Sequence, residues 1–189
     1  RSATGNHDFT YDSLFQLTGA SHPPSTHGNQ SAESYSYDSL GNRLTDQGGI
    51  YTFDTKAQRL IEDYKYTYFY DNNGNLVTKQ PKTSGVPTIQ YGYSSENQLK
   101  SIKYFDGLAG PVIKEAYYLY DPMGRRIERH IIDHQAPTDN QKSFIRRFTY
   151  DSENILFEFD GSNRILARFT HPPQRGSNPI DSVLSVEIS

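Results

Sequence analysis

An aromatic–any–aromatic–Asp phrase recurs along this 189-residue chain and constrains its fold more than any other feature. It reads FTYD ending at Asp12, YSYD at Asp38, YTFD at Asp54, YFYD at Asp71, YLYD at Asp121, FTYD at Asp151 and FEFD at Asp160. A degenerate copy, YGYS, ends at Ser94. The second aromatics are Tyr11, Tyr37, Phe53, Tyr70, Tyr93, Tyr120, Tyr150 and Phe159, so eight imperfect units fill residues 9–170. A phrase repeated this often marks a supersecondary unit that stacks on copies of itself.

The residues after each Asp identify the unit. Three positions on stands Gly41, Gly74 or Gly124, or else Asn97, Asn154 or Asn163; Phe15 and Ala57 depart from the rule. Gly and Asn tolerate a left-handed backbone. Asp opening a type I turn, with a left-handed residue after it, makes a bulged hairpin connection. The Asp carboxylates are expected to accept backbone N–H bonds there. An apolar residue then resumes, as at Leu17, Leu44, Leu76, Leu99 and Ile127. In Tyr35-Ser36-Tyr37 and Tyr68-Phe69-Tyr70 the aromatics fall two apart, on one face of a pleat. No segment carries a capped 3.6-residue stripe. The fold class is therefore all-β, an antiparallel meander of hairpins. Connections rich in Pro, Gly and Ser are expected at Gly19–Ser34, Gln80–Thr88, Asp106–Pro111, Asp133–Ser143 and His171–Ser182. None reads as an interdomain linker. One array spanning 1–189 is expected, closing in the Pro- and Gly-rich segment 171–189.

Composition agrees. Aromatics reach 13%, with 15 Tyr and 10 Phe, while mean hydropathy is −0.78. That balance suits an extended sheet better than one dry core. A net charge of −3 argues against a surface that coats nucleic acid. No window approaches the length of an apolar membrane-spanning helix. With no cysteine there is no disulfide framework, thiolate metal site or thiol nucleophile. The chain opens on Arg1 and its one Met is Met123, which reads as a processed or excised piece with any targeting signal elsewhere.

The segments YDSLGNRL from Tyr37, YDNNGNLV from Tyr70 and YDPMGRRI from Tyr120 resemble YD repeats of the RHS (rearrangement hot spot) family. The resemblance runs through residues 9–170. The stretch from Arg147 to Ile180 adds to it, with two closely spaced repeats before a Pro- and Gly-rich loop. The resemblance implies a long β-sheet strip wound into a hollow shell. Bacterial members, among them RHS effectors and the C components of Tc toxins, hold a variable C-terminal toxin inside, and teneurins use the same kind of shell in adhesion. The family core carries aspartates that release the toxin by proteolysis. No core motif is recognisable before Ser189, so that activity is not carried over. Eight units would cover only part of a shell wall.

Other chemistry fares poorly. His130 and His134 stand four apart, but Ile131 occupies the place of the zincin Glu, and on a strand the rings would lie roughly 13 Å apart. Asp71 to Asn75 fails the calcium-loop pattern, since Gly falls fourth instead of sixth. Glu158 and Asp160 alternate along one strand face in the manner of a glycosidase pair. Such a pair needs a cleft and two different environments, and Asp160 is already the repeat's turn residue. Asn29-Gln30-Ser31 is a glycosylation sequon. Arg125-Arg126 and Arg146-Arg147 read as solvated strand ends. No catalytic residue, cofactor or metal is assigned.

The leading expectation is a wall segment of a shell that encloses a polypeptide cargo such as a C-terminal toxin. Its partners would be the rest of the shell and that polypeptide, and its place a bacterial cell surface or the exterior. The alternative is an adhesion module whose aromatic sheet face recognises a glycan or a partner protein.

Overall fold

The computed structural model describes residues 6–23, 31–170 and 185–188. The sequon residues Asn29 and Gln30, and most of the expected closing segment 171–189, lie outside them. The chain divides into two compact units, Arg1–Phe69 and Tyr70–Ser189.

The first unit is built from short hairpins. Strands β1 (Asp8–Tyr11), β2 (Leu17–Ser21) and β3 (Glu33–Ser34) pair in order, as do β4 (Ser36–Tyr37), β5 (Arg43–Asp46) and β6 (Gly49–Ile50). β7 (Thr52–Phe53) pairs with β8 (Leu60–Glu62), and Glu62 of β8 stands opposite Thr67 of β9 (Tyr66–Tyr70). The expected connection Gly19–Ser34 is partly strand, because Gly19 pairs with Ser34 and Ala20 with Glu33.

The second unit is a longer meander. Strands β10 (Leu76–Pro81), β11 (Thr88–Tyr93), β12 (Leu99–Phe105), β13 (Val112–Tyr120), β14 (Arg126–Asp133), β15 (Ser143–Asp151), β16 (Asn154–Asp160), β17 (Ile165–Thr170) and β18 (Ser185–Ile188) each lie antiparallel beside the next. The one helical turn among the described residues, Asp139–Lys142, sits in the loop between β14 and β15.

The repeat is a single turn geometry. In the units at Asp12, Asp38, Asp71, Asp121 and Asp160, Oδ1 accepts the N–H groups two and four residues on, at 2.8–3.0 Å. The residue three positions on is left-handed: Phe15 (φ 61°), Gly41 (86°), Gly74 (88°), Gly124 (81°) and Asn163 (63°). Ser94 reproduces the same bonds through Oγ, to Glu96 and Gln98, and Asn97 is left-handed at 59°. Phe15 therefore breaks the residue rule while keeping the geometry. At Asp54 the turn is one residue longer, and the left-handed position passes from Ala57 to Gln58 (φ 54°). Asp151 is the exception. It lies in β15 opposite Asn154, across a two-residue turn with Ser152 left-handed at 54°. The expected left-handed Asn154 is thus a strand residue, because the shorter turn places Asn154 in register with Asp151.

The second aromatic marks a register shift in its strand pair. Shifts fall at Tyr11, Tyr37, Phe53, Tyr93, Tyr120, Tyr150 and Phe159. Such irregularities bend the strand and re-aim the side chain. The re-aimed tyrosines tie one hairpin to the preceding one. Tyr37 donates to the Leu17 carbonyl (2.8 Å), Tyr93 to Leu76 (3.1 Å), Tyr120 to Leu99 (2.9 Å) and Tyr150 to Arg126 (2.8 Å). Each acceptor stands five residues beyond the turn residue of the earlier unit.

These ties matter because apolar burial is slight. Among the described residues only Ala20, Ala116 and Ala167 are buried hydrophobics, and no large side chain is fully enclosed.

Candidate functional site

With so little enclosed, the two faces of the second unit's sheet are its working surfaces. Register assigns each residue to a face, since directly opposed residues share one and neighbours along a strand alternate.

One face sets an apolar, aromatic rung beside a charged one. A continuous rung crosses five strands as Tyr91, Ile102, Ala116, Ile131 and Phe144. The adjoining rung is Tyr118, Arg129, Arg146 and Asp160. Arg126 lies over the rings of Tyr118 (5.7 Å) and Phe148 (5.5 Å), while Arg129 and Arg146 lie over Phe144 at 5.9 and 5.3 Å. Arg146 pairs with Glu158 (3.0 Å). The arginine pairs are therefore not solvated strand ends. Arg125 bonds Asp121 at 2.7 Å and stacks on Tyr150, and Arg147 bonds Glu128 at 2.8 Å. Most of these partners sit on neighbouring strands, where adjacency in sequence could not reveal them.

The opposite face is organised around Glu115. Lys103, directly opposed on β12, lies 3.3 Å from Oε2, and His134 Nε2 lies 3.0 Å from Oε1. The Tyr117 hydroxyl donates to the same carboxylate. The hydroxyl of Tyr117, then His134 and Lys103, outweigh burial and hold the Glu115 pKa down to about 2. The Tyr117 hydroxyl is pushed up by the same bond. His130, opposed to Tyr117, contacts Ser143 Oγ at 2.8 Å. The two histidines thus serve separate partners. No group of three His, Asp or Glu side chains able to hold a metal occurs among the described residues. Nearer the turns, a hollow of about 530 Å³ is lined by Leu119, Thr149, Phe159 and the Glu128–Arg147 pair.

The repeat residues named from sequence stand at the hairpin ends. Their carboxylates are engaged: Asn42 and Asn75 side chains hold Asp38 and Asp71 below the usual range, and backbone N–H groups lead the same effect at Asp54 and Asp160. Outside the repeated phrase, two Asp turns that sequence reasoning missed also hold a tyrosine. Asp46 and Asp63 each accept a tyrosine hydroxyl five residues on, from Tyr51 (2.6 Å) and Tyr68 (2.7 Å). An Asp and a Tyr five apart is the signal that could have found them. The Glu115 cluster leaves no such signal, since its members come from three places in the chain.

Among solved structures, the crystal structure of TcdB2-TccC3 without its hypervariable C-terminal region superposes on 91% of this chain with a TM-score of 0.57 and 16% identity. The fold is thus shared with that structure: antiparallel β-hairpins laid side by side in an open sheet. The match covers 11% of that much longer chain. A second structure, TcdB2-TccC3-Cdc42, is similar over 87% of the chain with a TM-score of 0.42. Among curated proteins, "Double-stranded DNA deaminase toxin A" of Burkholderia cenocepacia (strain H111) is 28% identical over 179 residues, which is 95% of this chain and 12% of that protein. No family model matches the chain. No helix among the described residues is long and apolar enough to cross a membrane.

Proposed function

We propose that this YD sheet is a wall segment of a toxin-related shell that encloses a polypeptide and keeps it from solvent and proteases. The observation that carries the reading is the one continuous antiparallel meander of the second unit. Consecutive hairpins are tied by tyrosine hydroxyls instead of a dry core, leaving both faces available. Its likeness to a TcdB2-TccC3 structure and to a toxin several times its length supports placement inside a larger protein. The wall acts as an enclosure and needs no chemistry of its own, so it is read as non-enzymatic. Its partners are the remainder of the shell and the enclosed chain, all residues 1–189 serve as one array, and the assembly works outside a bacterial cell.

Photo-cross-linking in a longer protein carrying this segment tests the reading. A benzophenone side chain placed at Phe144, on the aromatic face, and another at Tyr117, on the Glu115 face, should differ. The expected result is adducts with the protein's own enclosed polypeptide from one face only. Equal labelling from both faces, or none from either, contradicts an enclosing wall.

A further inference from the structure

Arg129 and Arg146 stand directly opposite each other on β14 and β15, and Arg126 lies on the same face. Like charges directly opposed across a sheet are unfavourable. Among the described residues the only carboxylate committed to these three cations is Glu158, which pairs with Arg146. Asp160, on the same rung, is bound to Arg164, and Lys114 and Asp133 pair with each other further along the face. The guanidiniums of Arg126 and Arg129 find no acceptor among the described residues, and the Nε of each is buried. The guanidiniums lie over the rings of Tyr118, Phe148 and Phe144. With Nε buried, the two Nη groups of each form the fork suited to paired carboxylate oxygens.

We infer that Arg126 and Arg129 form a carboxylate-binding patch that docks an acidic polypeptide segment against the aromatic face. The inference deepens the wall reading by naming the chemistry of what the wall holds, and it rests on that reading for its physiological occupant. Charge complementarity selects the partner: two uncompensated cations set among rings and aliphatic side chains match Asp or Glu flanked by apolar residues. The surrounding rung Tyr91, Ile102, Ala116, Ile131 and Phe144 supplies the apolar contact. A bare polyanion would use the charges and leave that surface idle.

The test is direct binding to this chain by fluorescence anisotropy. Three labelled probes of equal length are used: a peptide alternating Glu with Leu, its Gln counterpart, and oligothymidylate. The acidic peptide should bind best, and more weakly as salt rises. Arg126→Gln with Arg129→Gln should weaken it about tenfold or more, while Arg126→Lys with Arg129→Lys should recover only part of the loss. Circular dichroism confirms that each variant is folded, and Lys100→Gln, at an exposed strand position outside the patch, serves as a charge control with unchanged affinity. Equal binding of the Gln peptide, tighter binding of the oligonucleotide, or undiminished affinity in the double Gln variant overturns the inference. None of these outcomes bears on cross-linking in the longer protein, so the two readings fail separately.

Discussion

At Gly74 the backbone φ is +88°, in the third position after Asp71, where its N–H donates to the Asp71 carbonyl at 3.1 Å. A β-branched side chain there meets the left-handed penalty in full. Gly74→Val should cost about 1 kcal/mol or more, read as a lower midpoint in denaturant; an unchanged midpoint would contradict the turn assignment. Acid should act through the turn carboxylates and Glu115. Asp38, Asp54, Asp71 and Asp160 are all held below their ordinary values, and Glu115 sits at about 2. A folded pKa below the unfolded one gives stability that is present above the unfolded value, about 4. That stability is lost as pH falls through the folded value. The denaturation midpoint should thus hold from neutral pH to about 5 and fall between about 4.5 and 2, with a smaller fall in Glu115→Gln. A flat profile down to pH 2 would contradict this electrostatic role. The Asp turns are legible in sequence because their bonds are local: a carboxylate reaches N–H groups two and four residues away. Asp151 misleads for the same reason, since Asn154 satisfies the local pattern while the strand register demands a shorter turn.

Between elements, the tyrosine hydroxyls carry what a packed core would carry elsewhere. Tyr120 belongs to the hairpin after the Ser94 turn, and its hydroxyl reaches back to Leu99. Tyr120→Phe removes the bond to the Leu99 carbonyl, with an expected cost of about 1 kcal/mol. Amide exchange should quicken at Leu99 and its β12 neighbours, with the distant β17 unaffected. Loss of stability without that local exchange would mean that Tyr120 acts by packing alone. The sequence displays each Tyr but not its acceptor, which stands 17 to 24 residues away and is defined only by register. The same limit hides the arginines, whose stacking rings lie largely on adjacent strands. Hairpins are legible from period and turn chemistry; contacts across hairpins are not.

For the whole molecule, the scarcity of enclosed apolar side chains among the described residues is what the proposed wall, unlike a self-sufficient globule, would show. With only alanines buried among the hydrophobics of the described residues, the sheet gains from being part of something larger. The low hydropathy and abundant tyrosine anticipate this, since a repeat can be held by turns, ladders and hydroxyl ties with little dry interior. What a wall holds is not written in its turns, and the sequence is silent there. The decisive measurement is protease protection in a longer protein that carries this segment with a following polypeptide. That polypeptide should survive a protease that rapidly digests it in isolation, and become cleavable once the sheet is unfolded. Digestion at the same rate inside the folded protein as in isolation would contradict the enclosing wall.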